Sequence, residues 1–165
     1  MKNMKNVLKA LIVSLFFISC KAQEPTEFSE KALQDTFITL KGESVTFQSI
    51  LDAHKGKTVL IDVWASWCGD CIKGMPKVKA LQANYPDVSY VFLSLDKGVD
   101  NWKKGIKKFE VEGSHYFMQS GWKGDFGTFV NLDWIPRYIV VDKQGTIKVF
   151  KAVKANDKQI KQALQ

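Results

Sequence analysis

The apolar pattern of this chain changes period several times, and each change predicts an element. Phe37-Ile38-Thr39-Leu40 and Val45-Thr46-Phe47 flank the polar turn Lys41-Gly42-Glu43, which predicts a β-hairpin. Ser49 to His54 predicts a short helix, ended by Lys55-Gly56-Lys57. Thr58 to Trp64 (TVLIDVW) is apolar and β-branched almost throughout, the composition of a strand covered on both faces. Ile72, Met75, Val78, Leu81 and Tyr85 then recur every three or four residues and predict a helix with one apolar stripe. Pro76 lies within that stripe and is expected to kink the helix. Ser89 to Leu95 (SYVFLSL) predicts a second buried strand, and Asp100 to Phe109 a helix with a lysine-rich outer face. Residues 110–134 mix glycines with Tyr116, Phe117, Trp122, Phe126 and Phe129 and show no clean period. Arg137 to Val141 and Thr146 to Phe150 predict a closing hairpin around Asp142-Lys143-Gln144-Gly145. Asn156, with Gln159 three residues on, has the spacing of a capping box opening a last helix. This order predicts an α/β fold: a mixed central sheet with helices on both faces, plus an N-terminal β-hairpin.

The first twenty residues stand apart. Lys2, Lys5 and Lys9 precede a run from Ala10 to Ile18 that is apolar except for Ser14. Nine residues cannot cross a bilayer core as a helix, which needs about 20. The pattern is that of a secretory leader. Phe17-Ile18-Ser19-Cys20 resembles a bacterial lipobox, with Phe17 where leucine is usual; on that reading Cys20 is lipidated and becomes the mature N-terminus. The alternative is signal-peptidase cleavage after Ala22. Either route leads out of the cytoplasm, to the periplasm or cell envelope, where disulfides persist. Residues 21–34 are polar and aperiodic and read as a tether or a loose cap. The organisation expected is a leader over 1–20, a tether over 21–34 and one domain over 35–165.

The 165-residue length supports one domain with a real core, and 45% hydrophobic with 25% charged residues is an ordinary globular balance. The formal charge of +7 includes the three leader lysines, which leaves about +4. Arg137 is the sole arginine, and the lysines are scattered among acids. Nucleic-acid and phosphate sites favour the planar fork of arginine, so a solvated surface is the reading here, and no nucleic-acid partner is expected.

Two of the three cysteines lie in WASWCGDCIKGMP, residues 64–76. A zinc site would need two further ligands, and beyond Cys20 there are only His54 and His115, far apart in sequence. A disulfide closing so short a loop is a weak staple, worth roughly 2 kcal/mol. Reversible redox chemistry is the reading that remains. Cys68 follows a buried strand and opens a helix, where free backbone N–H groups favour a thiolate. That thiolate attacks a partner disulfide, and Cys71, one turn on, attacks the mixed disulfide that forms.

Trp67-Cys68-Gly69-Asp70-Cys71 after VLIDVWAS, with Met75-Pro76, Ile135-Pro136 and the closing DKQG, resembles the thioredoxin superfamily. The extended match is with its extracytoplasmic TlpA/ResA-like thiol–disulfide oxidoreductases, from about Phe37 to the C-terminus. The resemblance implies a thioredoxin-like fold and three roles. Asp62, six positions before Cys68, matches a buried acid that takes the Cys71 proton. Pro136 matches the cis-proline facing the disulfide, and the Ile135 backbone would pair with an extended substrate segment. Trp67 would shield one side of the sulfur pair. Asp70 stands where the family commonly has proline; a carboxylate there opposes the Cys68 thiolate and favours a reductant.

The function expected is an exported thiol–disulfide oxidoreductase that reduces disulfides of envelope proteins. Its partners would be protein thiols and disulfides and an upstream thiol electron donor, for which a membrane-bound protein is one candidate. It needs no cofactor and no metal beyond the cysteine pair. A peroxidase would want Thr-x-x-Cys, which Ala65-Ser66-Trp67-Cys68 lacks. A non-catalytic metal or haem carrier on Cys68 and Cys71 is the alternative from another class; it would want a third ligand, for which His115 is the candidate.

Overall fold

The computed structural model describes residues 23–165. Cys20 and the leader lie outside the described residues. The elements, in order, are α1 (Glu30–Gln34), β1 (Thr36–Thr39), β2 (Ser44–Thr46), α2 (Phe47–Asp52), β3 (Val59–Trp64), α3 (Gly69–Asn84), β4 (Ser89–Ser94), α4 (Val99–Phe109), β5 (Ser114–Phe117), α5 (Asp125–Phe129), β6 (Arg137–Val141), β7 (Ile147–Ala152) and α6 (Lys158–Ala163). A single 3₁₀ turn, Gly121–Lys123, precedes α5.

Seven strands form one mixed sheet in the order β2-β1-β5-β4-β3-β6-β7. β3 is central, parallel to β4 and antiparallel to β6. All six of its residues are buried, as its continuous apolar run requires of a strand covered on both faces. The N-terminal hairpin of β1 and β2 joins the sheet through β1, which runs antiparallel to β5. The predicted α/β fold with a mixed sheet is the observed one.

Three local expectations are corrected. Residues 26–34 are docked, so the tether reading gives way to a cap. Thr26 accepts a backbone bond from Ile147 at 2.7 Å, Ser29 caps α1, and Phe28 packs edge-on against Phe47 with ring centroids 4.8 Å apart. Phe47 belongs to α2 and not to the preceding strand, because the Thr46 hydroxyl accepts from the N–H of Ser49 and starts the helix there. The cap of α6 is Asp157, whose carboxylate accepts from the N–H of Gln159, and not Asn156. The aperiodic segment 110–134 contains β5, a short strand that completes hydrogen bonding between β4 and β1.

α3 runs unbroken through Pro76, and its buried face is Cys71, Met75, Val78 and Leu81. Among the described residues, no helix is long and apolar enough to cross a membrane.

Candidate active site

β3 ends at Trp64 and the chain turns into α3 through Ala65-Ser66-Trp67. That turn is tied down from β4. The Asp96 carboxylate accepts from the Ser66 backbone N–H at 3.0 Å, from the Ser66 hydroxyl at 2.5 Å and from the Ser94 hydroxyl at 2.8 Å. Gly105 of α4 closes over it: a Cβ there would lie 2.4 Å from Ser66 Cβ. Cys68 is therefore delivered to the N-terminus of α3 on a braced loop.

Cys68 is the N-cap of α3, and the pair Cys68–Cys71 is a disulfide with Cα atoms 5.3 Å apart. The Cys71 N–H donates to Cys68 Sγ at 3.1 Å. In the reduced protein the same donor and the positive end of a 16-residue helix would stabilise a Cys68 thiolate. Cys68 keeps 6% of its surface exposed and Cys71 keeps 1%. The outer sulfur is the one a partner can reach.

The Ile135–Pro136 peptide is cis, and the Ile135 carbonyl oxygen lies 3.6 Å from Cys68 Sγ. Sixty-seven residues of sequence separate these two atoms. Trp67 is half exposed, and with Trp122, Trp134, Cys68 and Ile135 it lines a cavity of about 440 Å³. The surface next to the disulfide is thus aromatic and open to solvent.

Asp62 is in the middle of β3, 1% exposed, and neither carboxylate oxygen has a hydrogen-bond partner. Burial pushes its pKa up to about 8, because the charged form loses its hydration and gains nothing in exchange. A carboxyl group that exchanges its proton near neutrality suits a general base or acid.

Several contributors were not legible as site residues. Arg137 is fully buried; its Nη1 donates to the carbonyl oxygen of Val130 at 2.6 Å, and its Nη2 to Asp133 at 2.6 Å. It anchors the 130–136 segment that presents Ile135 and Pro136. The signal was available: one arginine in an apolar strand is a buried charge that needs partners. Asp96 gave a weaker signal, as a lone acid ending an apolar strand.

The carrier reading finds no third ligand among the described residues. Among the described residues no group of three metal-ligating side chains comes together. His115 stacks on Phe92 with centroids 5.0 Å apart, and its Nε2 lies 2.9 Å from the carbonyl oxygen of Val111.

The chain is similar to known proteins. A family model described as thioredoxin-like matches residues 56–147. The thioredoxin-like protein YneN of Bacillus subtilis is 28% identical over 148 residues, covering 87% of this chain and 78% of its own length. The thiol-disulfide oxidoreductase ResA of Bacillus cereus is 24% identical over 127 residues, covering 76% and 69%. Among solved structures, the thioredoxin domain of a thiol-disulfide oxidoreductase from Bacteroides vulgatus superposes with a TM-score of 0.63 at 25% identity, covering 81% of this chain and 94% of that one.

Proposed function

Since the chain belongs to the thioredoxin-like family, we propose that it is an exported thiol–disulfide oxidoreductase that reduces disulfides of envelope proteins through Cys68 and Cys71. The observation that supports this reading is the asymmetric pair at the start of α3. One sulfur touches the surface beside the Ile135 carbonyl, and the other is sealed behind it.

The reaction follows from that asymmetry. The Cys68 thiolate attacks one sulfur of a substrate disulfide; a Cys68–substrate bond forms and the substrate S–S bond breaks. The released substrate thiolate leaves with the electron pair and takes a proton from water. Asp62 accepts the Cys71 proton, and the Cys71 thiolate attacks Cys68 Sγ. The Cys68–Cys71 bond forms, the second substrate thiolate leaves, and the two electrons of the dithiol now reside in the substrate. The Ile135 backbone pairs with an extended substrate segment, and Trp67 flanks the exchanging sulfurs. An upstream thiol protein restores the dithiol. The leader supports export, and Cys20 would supply a lipid anchor.

Replacing Cys71 by Ser tests this reading. In the cell envelope, the variant is expected to hold substrates on Cys68 as mixed disulfides, and those partners are expected to be exported proteins with cystines. An absence of trapped partners, together with failure of the unaltered protein to catalyse reduction of a model protein disulfide, would overturn it.

A further inference from the structure

Among the described residues five large apolar side chains are exposed, and three of them are tryptophans on the one cavity that holds Cys68: Trp67, Trp122 and Trp134. They come from the loop before α3, the 3₁₀ turn and the segment before Pro136. Apolar side chains scattered singly over a surface need no explanation, but a cluster beside a reactive sulfur does. Core packing does not account for them, because they keep 50%, 36% and 59% of their surface exposed. The backbone beneath them is braced. The Asp35 carboxylate accepts from the Ser120 hydroxyl and from the Phe126 N–H, each at 2.9 Å, and so brackets Trp122. A Cβ at Gly127 would collide with the Trp122 carbonyl oxygen, so α5 packs directly on that turn. Trp134 follows Asp133, whose carboxylate is held by Arg137 and Lys151. A surface set in place in this way loses little freedom when a partner covers it.

Charge narrows what that partner presents. The two acids of the cavity are already paired, Asp70 with Lys73 at 3.5 Å and Asp133 with Arg137 at 2.6 Å. The unpaired surface is therefore the indoles and Ile135, which favours an uncharged, apolar occupant. On the proposed reading, a substrate segment lies extended along the Ile135 backbone while its cysteine sulfur bonds to Cys68. Residues two apart in an extended segment point to one face. The side chain two positions from the substrate cysteine then faces the tryptophans. We propose that Trp122 and Trp134, with Trp67, form a specificity cleft for a large apolar side chain, aromatic or aliphatic, two residues from the reacting cysteine of the substrate. This deepens the reading of Cys68 as the attacking sulfur and rests on it. Trp122 and Trp134 touch the substrate segment and not the exchanging sulfurs, so they set which disulfides react fast and leave the exchange itself to Cys68 and Cys71.

Symmetric disulfide-linked dimers of a short peptide test this, because every attack then falls on a peptide sulfur. The residue two before or two after the cysteine is set to Phe, Leu, Ser, Lys or Glu. Reduction by the reduced protein is followed in a single turnover, and each rate is divided by the rate with a small free thiol. The Phe and Leu peptides are expected to react about tenfold faster than the Ser peptide on one side of the cysteine, the low end of what an apolar subsite discriminates. Trp122→Ala and Trp134→Ala are each expected to bring that ratio to about threefold or less. A ratio within one variant cancels any general loss of activity, and melting temperatures report the fold. Equal parent rates for all peptides would overturn the cleft and leave Cys68 as the attacking sulfur. A parent preference for Lys or Glu would also overturn it, as would an apolar preference undiminished in both variants. Failure to reduce any peptide would overturn the cleft together with the reading of Cys68.

Discussion

Arg137 Nη1 donates to the carbonyl oxygen of Val130 at 2.6 Å, so a buried guanidinium on β6 fixes the segment that faces the cysteine pair. The same group reaches the Asn131 carbonyl at 3.3 Å and Asp133 at 2.6 Å. Asn131 adopts a positive φ of 48° within that segment. Arg137→Met leaves these acceptors without their donor. It is expected to cost about 2–4 kcal/mol by denaturant unfolding, within the range for lost charged hydrogen bonds and a broken buried pair. Arg137→Lys supplies one point charge in place of a fork and is expected to recover only part of that. The Met variant should raise KM for a protein disulfide while leaving attack on a small aromatic disulfide near the parent rate, because on the proposed reading only an extended segment pairs with the Ile135 backbone.

Asp62 gives folding stability a pH dependence of known sign. Its folded pKa is about 8, above its ordinary value of 3.8. The native state therefore holds a proton that the unfolded chain has already released between those values. Its contribution is complete below about pH 4 and is lost as pH rises through 8, by about 1.4 kcal/mol for each unit crossed. Asp62→Asn is expected to flatten this slope. Urea unfolding at several pH values measures it.

Asp70 stands in the first turn of α3, more than half exposed, with Lys73 Nζ 3.5 Å from its carboxylate. Its charge opposes a thiolate at Cys68, and Lys73 offsets part of that. Asp70→Asn is expected to make the pair more oxidising by about 10–20 mV, the size of an exposed charge effect on a two-electron couple. Equilibration with a glutathione buffer reads the shift; a shift to more reducing potential, or none, removes the assigned role.

Gly105 packs on the loop before Cys68. In Gly105→Ala, helix propensity gains up to about 1 kcal/mol, but the added Cβ meets Ser66 Cβ at 2.4 Å. Overpacking of this kind costs about 1–3 kcal/mol. The net expectation is a lower melting temperature by a few degrees, with slower reaction at Cys68 as Ser66 is displaced from Asp96.

Much of the fold was legible because it is written locally. TVLIDVW and SYVFLSL are buried strands by composition alone, and the stripe from Ile72 to Tyr85 is a helix by period. Cys68 and Cys71 announce a reactive pair because three residues on a helix start place two sulfurs together. β5 was not legible: SHYF is short and half-buried, and it is a strand because β4 and β1 each offer it unpaired backbone groups. The packing of Phe28 under α5 was hidden for the same reason, since its partners Phe126 and Phe129 lie about a hundred residues on.

The chain by itself determined the central strands, the long helices and the cysteine chemistry, since periodicity, turn residues and a helix N-terminus act over a few residues. Tertiary structure decided which carbonyl stands beside Cys68, which carboxylate is stripped of water, and which guanidinium holds the facing segment. Those relationships depend on the strand order β2-β1-β5-β4-β3-β6-β7, which brings β6 against β3 across more than seventy residues. Burial and long-range contact are properties of the assembled sheet, and no short stretch of sequence contains them.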